Sequence, residues 1–191
     1  MSERYGHKLV GGAGLFVSAI GFALFALLDA STGFWPFLAA TLVIGTGAAL
    51  AMTPATNAIV SSLPRAKQGV ASAVNDTARE LGAAFGIAIL GSAFNIGYHH
   101  EIDGRGLPGG VAEQAREAPA IAVNLAERAS NGSALLDAAR DAFIVGMRYA
   151  LFVGVGLLLV GALFVWLHGA SGVQQQSEDE LDDLEELRRV A

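Results

Sequence analysis

The 191-residue sequence contains no cysteine. That absence excludes structural disulfides, thiol nucleophiles and cysteine-based zinc or iron–sulfur sites, and it leaves the redox compartment unread. Histidine is scarce, with four in the chain, and the adjacent pair His99-His100 points to different sides of any helix. No HExxH or comparable ligand spacing occurs, so neither a metal site nor a bound cofactor is expected. Charged residues make up only 16% of the chain, and 12 Lys or Arg against 18 Asp or Glu give a formal net charge of -6. Much of the acidic excess lies in the C-terminal run SEDELDDLEEL, so the net charge describes that tail more than the protein. There is no basic patch interleaved with aromatics, and nucleic acid is not an expected partner. Nor is there a nucleophile–base constellation, which leaves no enzyme reading.

What is abundant is apolar sequence: 53% of the residues are hydrophobic, gathered in long blocks where a soluble core would scatter them. About 20 apolar residues cross a ~30 Å hydrocarbon layer at a rise of ~1.5 Å each. Four blocks meet that length, at residues 9–28, 34–63, 70–98 and 143–168, so the fold class is an all-α membrane protein with four transmembrane helices and the lipid bilayer as a partner. The first, LVGGAGLFVSAIGFALFALL, is too long for a signal peptide and has no A-x-A site, and it is expected to be retained as a helix. The second opens on Phe34-Trp35 and contains Pro54, which removes a backbone hydrogen bond and bends the helix, with Thr53, Thr56 and Asn57 beside the bend. These polar groups can satisfy freed carbonyls or face a polar cavity. Residues 99–142 read as an extracytoplasmic loop with one or two short surface helices. In the fourth block Tyr149 and Trp166 stand as interfacial belts, and Arg148 as an interfacial anchor. Residues 169–191 form an acidic tail, in which Ser177 and Glu180 make a capping box ahead of Leu181, Leu184 and Leu187. That tail reads either as a short amphipathic helix or as a solvated acidic segment.

Lys and Arg near helix ends are retained on the cytoplasmic side. The segments ERYGHK and PRAKQ are therefore expected inside and the turn DASTG outside, which puts both termini in the cytoplasm of an inner-membrane protein. The loop 99–142 carries Arg105, Arg116, Arg128 and Arg140 yet falls outside, as long loops translocate largely regardless of charge.

Ionisable groups within a span cost roughly 2.5–3.5 kcal/mol each on insertion scales, so they persist where they pair or line a wet path. Asp76, Arg79 and Glu80 form the one such cluster. Spacings of three and four put both carboxylates on one helix face with the guanidinium beside them. Proton-coupled carriage needs a carboxylate that changes protonation between wet and dry surroundings, which makes this trio the candidate coupling or cavity-gate site. The bland alternative is an ion pair that snorkels into headgroups near the inner interface. Thr53, Pro54, Asn57 and Asn75 are the candidate substrate-path or kink residues. The glycines read as packing surfaces, with Gly82 and Gly86 spaced as a small-xxx-small seam.

From Gly45 to His100 the chain resembles the C-terminal half of the fourteen-helix drug:proton antiporters of the major facilitator superfamily. The resemblance rests on a glycine-rich helix with a central proline, a short basic loop, and then the pattern carried by Gly69, Ala71, Ser72, Ala73, Val74, Asn75, Arg79, Leu81, Gly82, Ala84, Gly86, Ala88 and Ile89. The run AARDAFIVGMRYALFVG is similar to the entry to the family's last helix. The resemblance implies the last four helices of a major facilitator fold and efflux of small amphipathic, drug-like compounds or antibiotics driven by protons. It also implies a missing N-terminal transporter half, since alternating access needs two bundles around a shared site. A self-assembled four-helix exporter acting as a homo-oligomer, like the small multidrug-resistance proteins, is the alternative, although no carboxylate lies between Leu9 and Leu28 where those proteins carry a glutamate. A non-transporting membrane scaffold that binds through its loop or tail is the third reading.

Overall fold

A computed structural model describes residues 2–29, 32–61, 67–128 and 132–168. The basic loop at 62–66 and the tail at 169–191, with its expected capping box, lie outside the described residues. Six helices follow in chain order: α1 Ser2–Ala26, α2 Phe34–Ser61, α3 Gln68–Gly104, α4 Gly109–Glu117, α5 Pro119–Arg128 and α6 Gly132–His168. No strand occurs among the described residues. The fold is all-α, and α1, α2, α3 and α6 are long and apolar enough to cross a membrane. Large apolar side chains stand exposed on all four, among them Phe16, Trp35, Ile87 and Val160, the last three at 76%, 75% and 67%. Such surfaces belong against acyl chains rather than water.

The third and fourth long helices, α3 and α6, each have 37 residues. At ~1.5 Å per residue that is about 55 Å, well beyond a ~30 Å hydrocarbon layer. α3 therefore runs past residue 98, and α6 begins well before residue 143, into sequence whose polarity suggested a loop. Between them lie the two short helices α4 and α5.

The described residues fall into two compact units. One contains residues up to Gly21, Leu42–Glu80 and the chain from Leu157. Here α1 crosses α2 at two glycines. A Cβ placed on Gly14 would lie 2.5 Å from the Ala51 nitrogen and 2.8 Å from the Gly47 carbonyl oxygen, and one on Gly47 would lie 2.7 Å from the Gly14 oxygen. Only glycine allows backbones that close. Ser18, buried beside this crossing, donates to the Ile44 carbonyl at 3.4 Å. On the α6 side, the Cβ positions of Gly11 and Gly12 meet Val165 and the Ala162 carbonyl, each at 3.6 Å.

The other unit comprises Phe22–Thr41 and Leu81–Gly156. Its core is Tyr98, Ile102, Ala115, Ala122, Ala139 and Ala142, with Phe94 and Leu107 against it. Alanines let α4 and α5 lie close to α3 and α6. The turn that ends α3 places Gly106 at φ 63, left-handed backbone that suits glycine. Ala118 between α4 and α5 is extended, at φ -163 and ψ 147, as a residue before proline prefers, and Pro119 takes the first position of α5.

Among the described residues nothing lies within 4 Å of a Cβ at Gly82 or Gly86, so the spacing expected to form a seam meets no other helix of this chain there. Close approach occurs instead at Gly14 with Gly47, and at Gly97 with Gly146, where a Gly97 Cβ would be 3.0 Å from the Gly146 Cα.

Candidate functional site

The ionisable trio stands on the first half of α3. Asp76, Arg79 and Glu80 are exposed, as is every residue from Asp76 to Phe85, so this stretch presents side chains all round the helix. Four ion-pair contacts occur among the described residues: Arg105 with Glu101 at 2.7 Å, Arg105 with Asp141 at 2.6 Å, Arg116 with Asp103 at 3.5 Å, and Arg148 with Asp29. None of them involves the trio. Inside a bilayer these groups would need water or a polar partner, since uncompensated charge is costly there.

The other nominated residues have mixed surroundings. Asn75 is half-buried one position before Asp76. Thr77, also within the exposed stretch, donates back to the Ala73 carbonyl at 2.8 Å and so uses its hydroxyl within its own helix. On α2, Thr53 is exposed and donates to the Ala49 carbonyl at 3.2 Å, while Pro54 is buried within a helix that continues through it. The Pro54 ring sits 3.6 Å from a Cβ position at Gly11, so it packs against α1. The side chain of Asn57 lies outside the described residues. Thr53, Pro54, Asn75, Asp76, Arg79 and Glu80 all fall in one unit, and no hydrogen bond or ion pair joins the α2 group to the α3 group among the described residues.

At the other end of α3 the charges are paired. Arg105 spans Glu101 and Asp141, and the hydrogen bonds it donates, first to Asp141 and then to Glu101, hold its guanidinium above the ordinary arginine value. Its positive charge is thus kept throughout the physiological range. The Tyr98 hydroxyl donates to the Ala115 carbonyl at 2.8 Å, and His99 Nε2 lies 3.0 Å from the Arg116 carbonyl. A carbonyl only accepts, so His99 carries its proton on Nε2 in this arrangement. These contacts tie α4 to α3.

Sequence reasoning read Arg148 as an interfacial anchor and passed over Asp29. The structure pairs them. The available signal was that Asp29 is the one acid of the turn DASTG while Arg148 is an arginine within an apolar run. The links from Tyr98 and His99 to α4 left no such trace, because both acceptors are backbone carbonyls.

Residues 1–100 match the sequence profile of the Major Facilitator Superfamily. The chain is 36% identical over 170 residues to the methyl viologen resistance protein SmvA of Salmonella typhimurium, covering 86% of this chain and 34% of that protein. It is 34% identical over 169 residues to the multidrug efflux pump LfrA of Mycolicibacterium smegmatis, covering 86% and 33%. An uncharacterised transporter of Escherichia coli, YebQ, is 35% identical over 97 residues, covering 49% and 20%. The chain thus spans about a third of the length of SmvA and LfrA.

Proposed function

Because the chain belongs to the Major Facilitator Superfamily, a family of membrane transporters and not enzymes, we propose that it forms the C-terminal part of a proton-coupled exporter of small amphipathic, drug-like compounds. The observation that carries this reading is its similarity, over 86% of its length, to one protein named for methyl viologen resistance and another named a multidrug efflux pump. It is a multi-pass membrane protein with four spanning helices. In the proposed arrangement it sits in the inner membrane with both termini cytoplasmic, following the distribution of Lys and Arg. The remaining helices of the transporter come from an N-terminal half that pairs with these four, since a shared midplane site needs two bundles.

The trio on α3 is the coupling or gate element of this proposal. Its support is physical: two carboxylates and a guanidinium are exposed on a helix long enough to span, without ion-pair partners among the described residues. Asp76 or Glu80 exchanges a proton as its surroundings change from wet to dry, with Arg79 as the charge partner. Asn75 on α3 and Thr53, Pro54 and Asn57 on α2 line or shape the substrate path.

The test begins with the native product, by immunoblotting source-cell membranes with an antibody raised to the acidic tail. A band well above 19.7 kDa, the mass of this chain, is expected. A band at that mass would move the reading to the self-assembled four-helix exporter. The product so identified is then placed in liposomes, and methyl viologen efflux is followed under an imposed pH gradient. Asp76→Asn or Glu80→Gln is expected to remove gradient-driven efflux while downhill exchange continues; efflux equal to the parent in both variants would refute the coupling role.

A further inference from the structure

We propose that His99 makes the docking of α4 on the end of α3 sensitive to pH, so that acid tightens the last turn of α4 and alkali loosens it. His99, α4 and the helix ends around them lie within one compact unit.

The end of α4 is where such control can act. A helix leaves the carbonyls of its last turn without partners of its own, and they carry the negative end of the helix dipole. α4 stops there because Ala118 is extended ahead of Pro119. Two of its last carbonyls are taken by consecutive side chains of α3: the Tyr98 hydroxyl donates to the Ala115 carbonyl at 2.8 Å, and His99 Nε2 lies 3.0 Å from the Arg116 carbonyl. The two bonds differ in kind. Tyr98 is buried with Ala115 and Ile102, and a phenol keeps its proton across the neutral range, so this bond holds α4 at any such pH. The His99 bond is exposed, so water and protons reach it.

Imidazole is the side chain that changes both charge and donor count between about pH 5 and 8. A neutral ring has one N–H and donates to the Arg116 carbonyl only while that proton sits on Nε2, whereas the charged ring has two and always donates. The charged ring also brings a cation to the carbonyl end of α4, where a cation is stabilising. Asp103 stands four residues further along, on the same face of α3, and its 3.5 Å pair with Arg116 offsets the guanidinium of that residue. Glu113 and Glu117 of α4 and Glu127 of α5 are exposed acids. On α6, Asp141 is held by Arg105 together with Glu101, which leaves Asp137 and Arg140 opposed in sign. Acids thus outnumber free cations around the ring among the described residues. The charged ring favours the docked turn, so its contribution is present at low pH and is lost as pH rises through the histidine range. In the proposed topology this end of α3 faces the proton-rich side, a consequence that rests on the proposed function as the pH response itself does not.

Amide hydrogen exchange read by mass spectrometry tests this on the full chain in detergent micelles, between about pH 5 and about pH 8, with rates corrected for the intrinsic pH dependence of exchange. That window lies above the range in which ordinary carboxylates titrate. Protection of residues 113–118 is expected to be about two- to fivefold greater at the acid end than at the alkaline end, the ratio that a cation at a helix C-terminus produces. In His99→Gln, whose amide can donate without titrating, protection there should be equal at both ends of the window, with α1 exchanging as in the parent. His100 is exposed and has no hydrogen-bond partner among the described residues, so His100→Gln should keep the parent's pH dependence. Parent protection that does not grow with acid would overturn the proposal, and so would a His99→Gln variant that retains the dependence.

Discussion

The glycine crossing of α1 and α2 gives the most quantitative expectation. In Gly14→Ala the new methyl carbon falls 2.5 Å from the Ala51 nitrogen, 2.8 Å from the Gly47 oxygen and 2.9 Å from the Leu50 carbonyl carbon. All three are backbone atoms, so no side chain can turn aside, and the two helices must separate. Overpacking of this kind costs about 1–3 kcal/mol, and three simultaneous backbone contacts place it near ~3. Alanine returns up to ~1 kcal/mol of helix propensity, leaving a net loss of about 2. Gly156→Ala is the matched control, because nothing lies within 4 Å of its Cβ position. There the propensity gain stands alone, at ~1 kcal/mol in favour. The two variants should therefore differ by about 3 kcal/mol, or roughly two orders of magnitude in the unfolding equilibrium. Reversible unfolding in mixed micelles, titrated with a denaturing detergent and followed by circular dichroism, reads both values. Equal stability of the two variants would refute the close approach of α1 and α2.

Three further outcomes follow from the same geometry. Tyr98→Phe removes the donor to the buried Ala115 carbonyl and should cost about 1–3 kcal/mol, read as faster amide hydrogen exchange across residues 112–126 with α1 unchanged. Arg105→Ala breaks two pairs whose arginine is 35% exposed, so the loss should stay below about 1 kcal/mol per pair and shrink in high salt. Gly82→Ala with Gly86→Ala enters open space at both positions and should leave this chain as stable or stabilise it by up to ~1 kcal/mol per site, measured in the same detergent titration.

The four spans could be read from the sequence because hydropathy reports the transfer of side chains into lipid, and runs such as YALFVGVGLLLVGALFVWLH leave little room for another reading. Hydropathy does not report where a helix ends. HHEIDG and GSALLDAARDA are polar enough to resemble loop, yet they continue α3 and α6, because alanine and the alternation of buried and exposed positions suit a helix packed on its neighbours. Helix contacts were illegible for a related reason. A small-xxx-small spacing describes one helix, whereas Gly14 with Gly47 and Gly97 with Gly146 are defined by a partner distant in sequence. The trio at 76–80 was legible because charge inside an apolar block is rare. Its surroundings were not, since spacing says which groups share a face and nothing about what lies opposite.

The charges of this chain divide by what holds them, and that division separates two kinds of substitution. Every ion pair among the described residues lies in the unit containing Asp29, the end of α3, α4, α5 and the start of α6, while Asp76, Arg79 and Glu80 in the other unit make none. A paired charge contributes to the folded state through its partner, so its removal lowers stability and any loss of activity follows. An exposed charge without an ion-pair partner contributes little to folding and is free to act on something outside this chain. Asp76→Asn and Glu80→Gln should accordingly leave the unfolding midpoint unchanged while they alter transport in the full-length product. If the two neutralised carboxylates instead shift the midpoint as much as Arg105→Ala does, they are bonded within this chain, and the exposed stretch of α3 is structural.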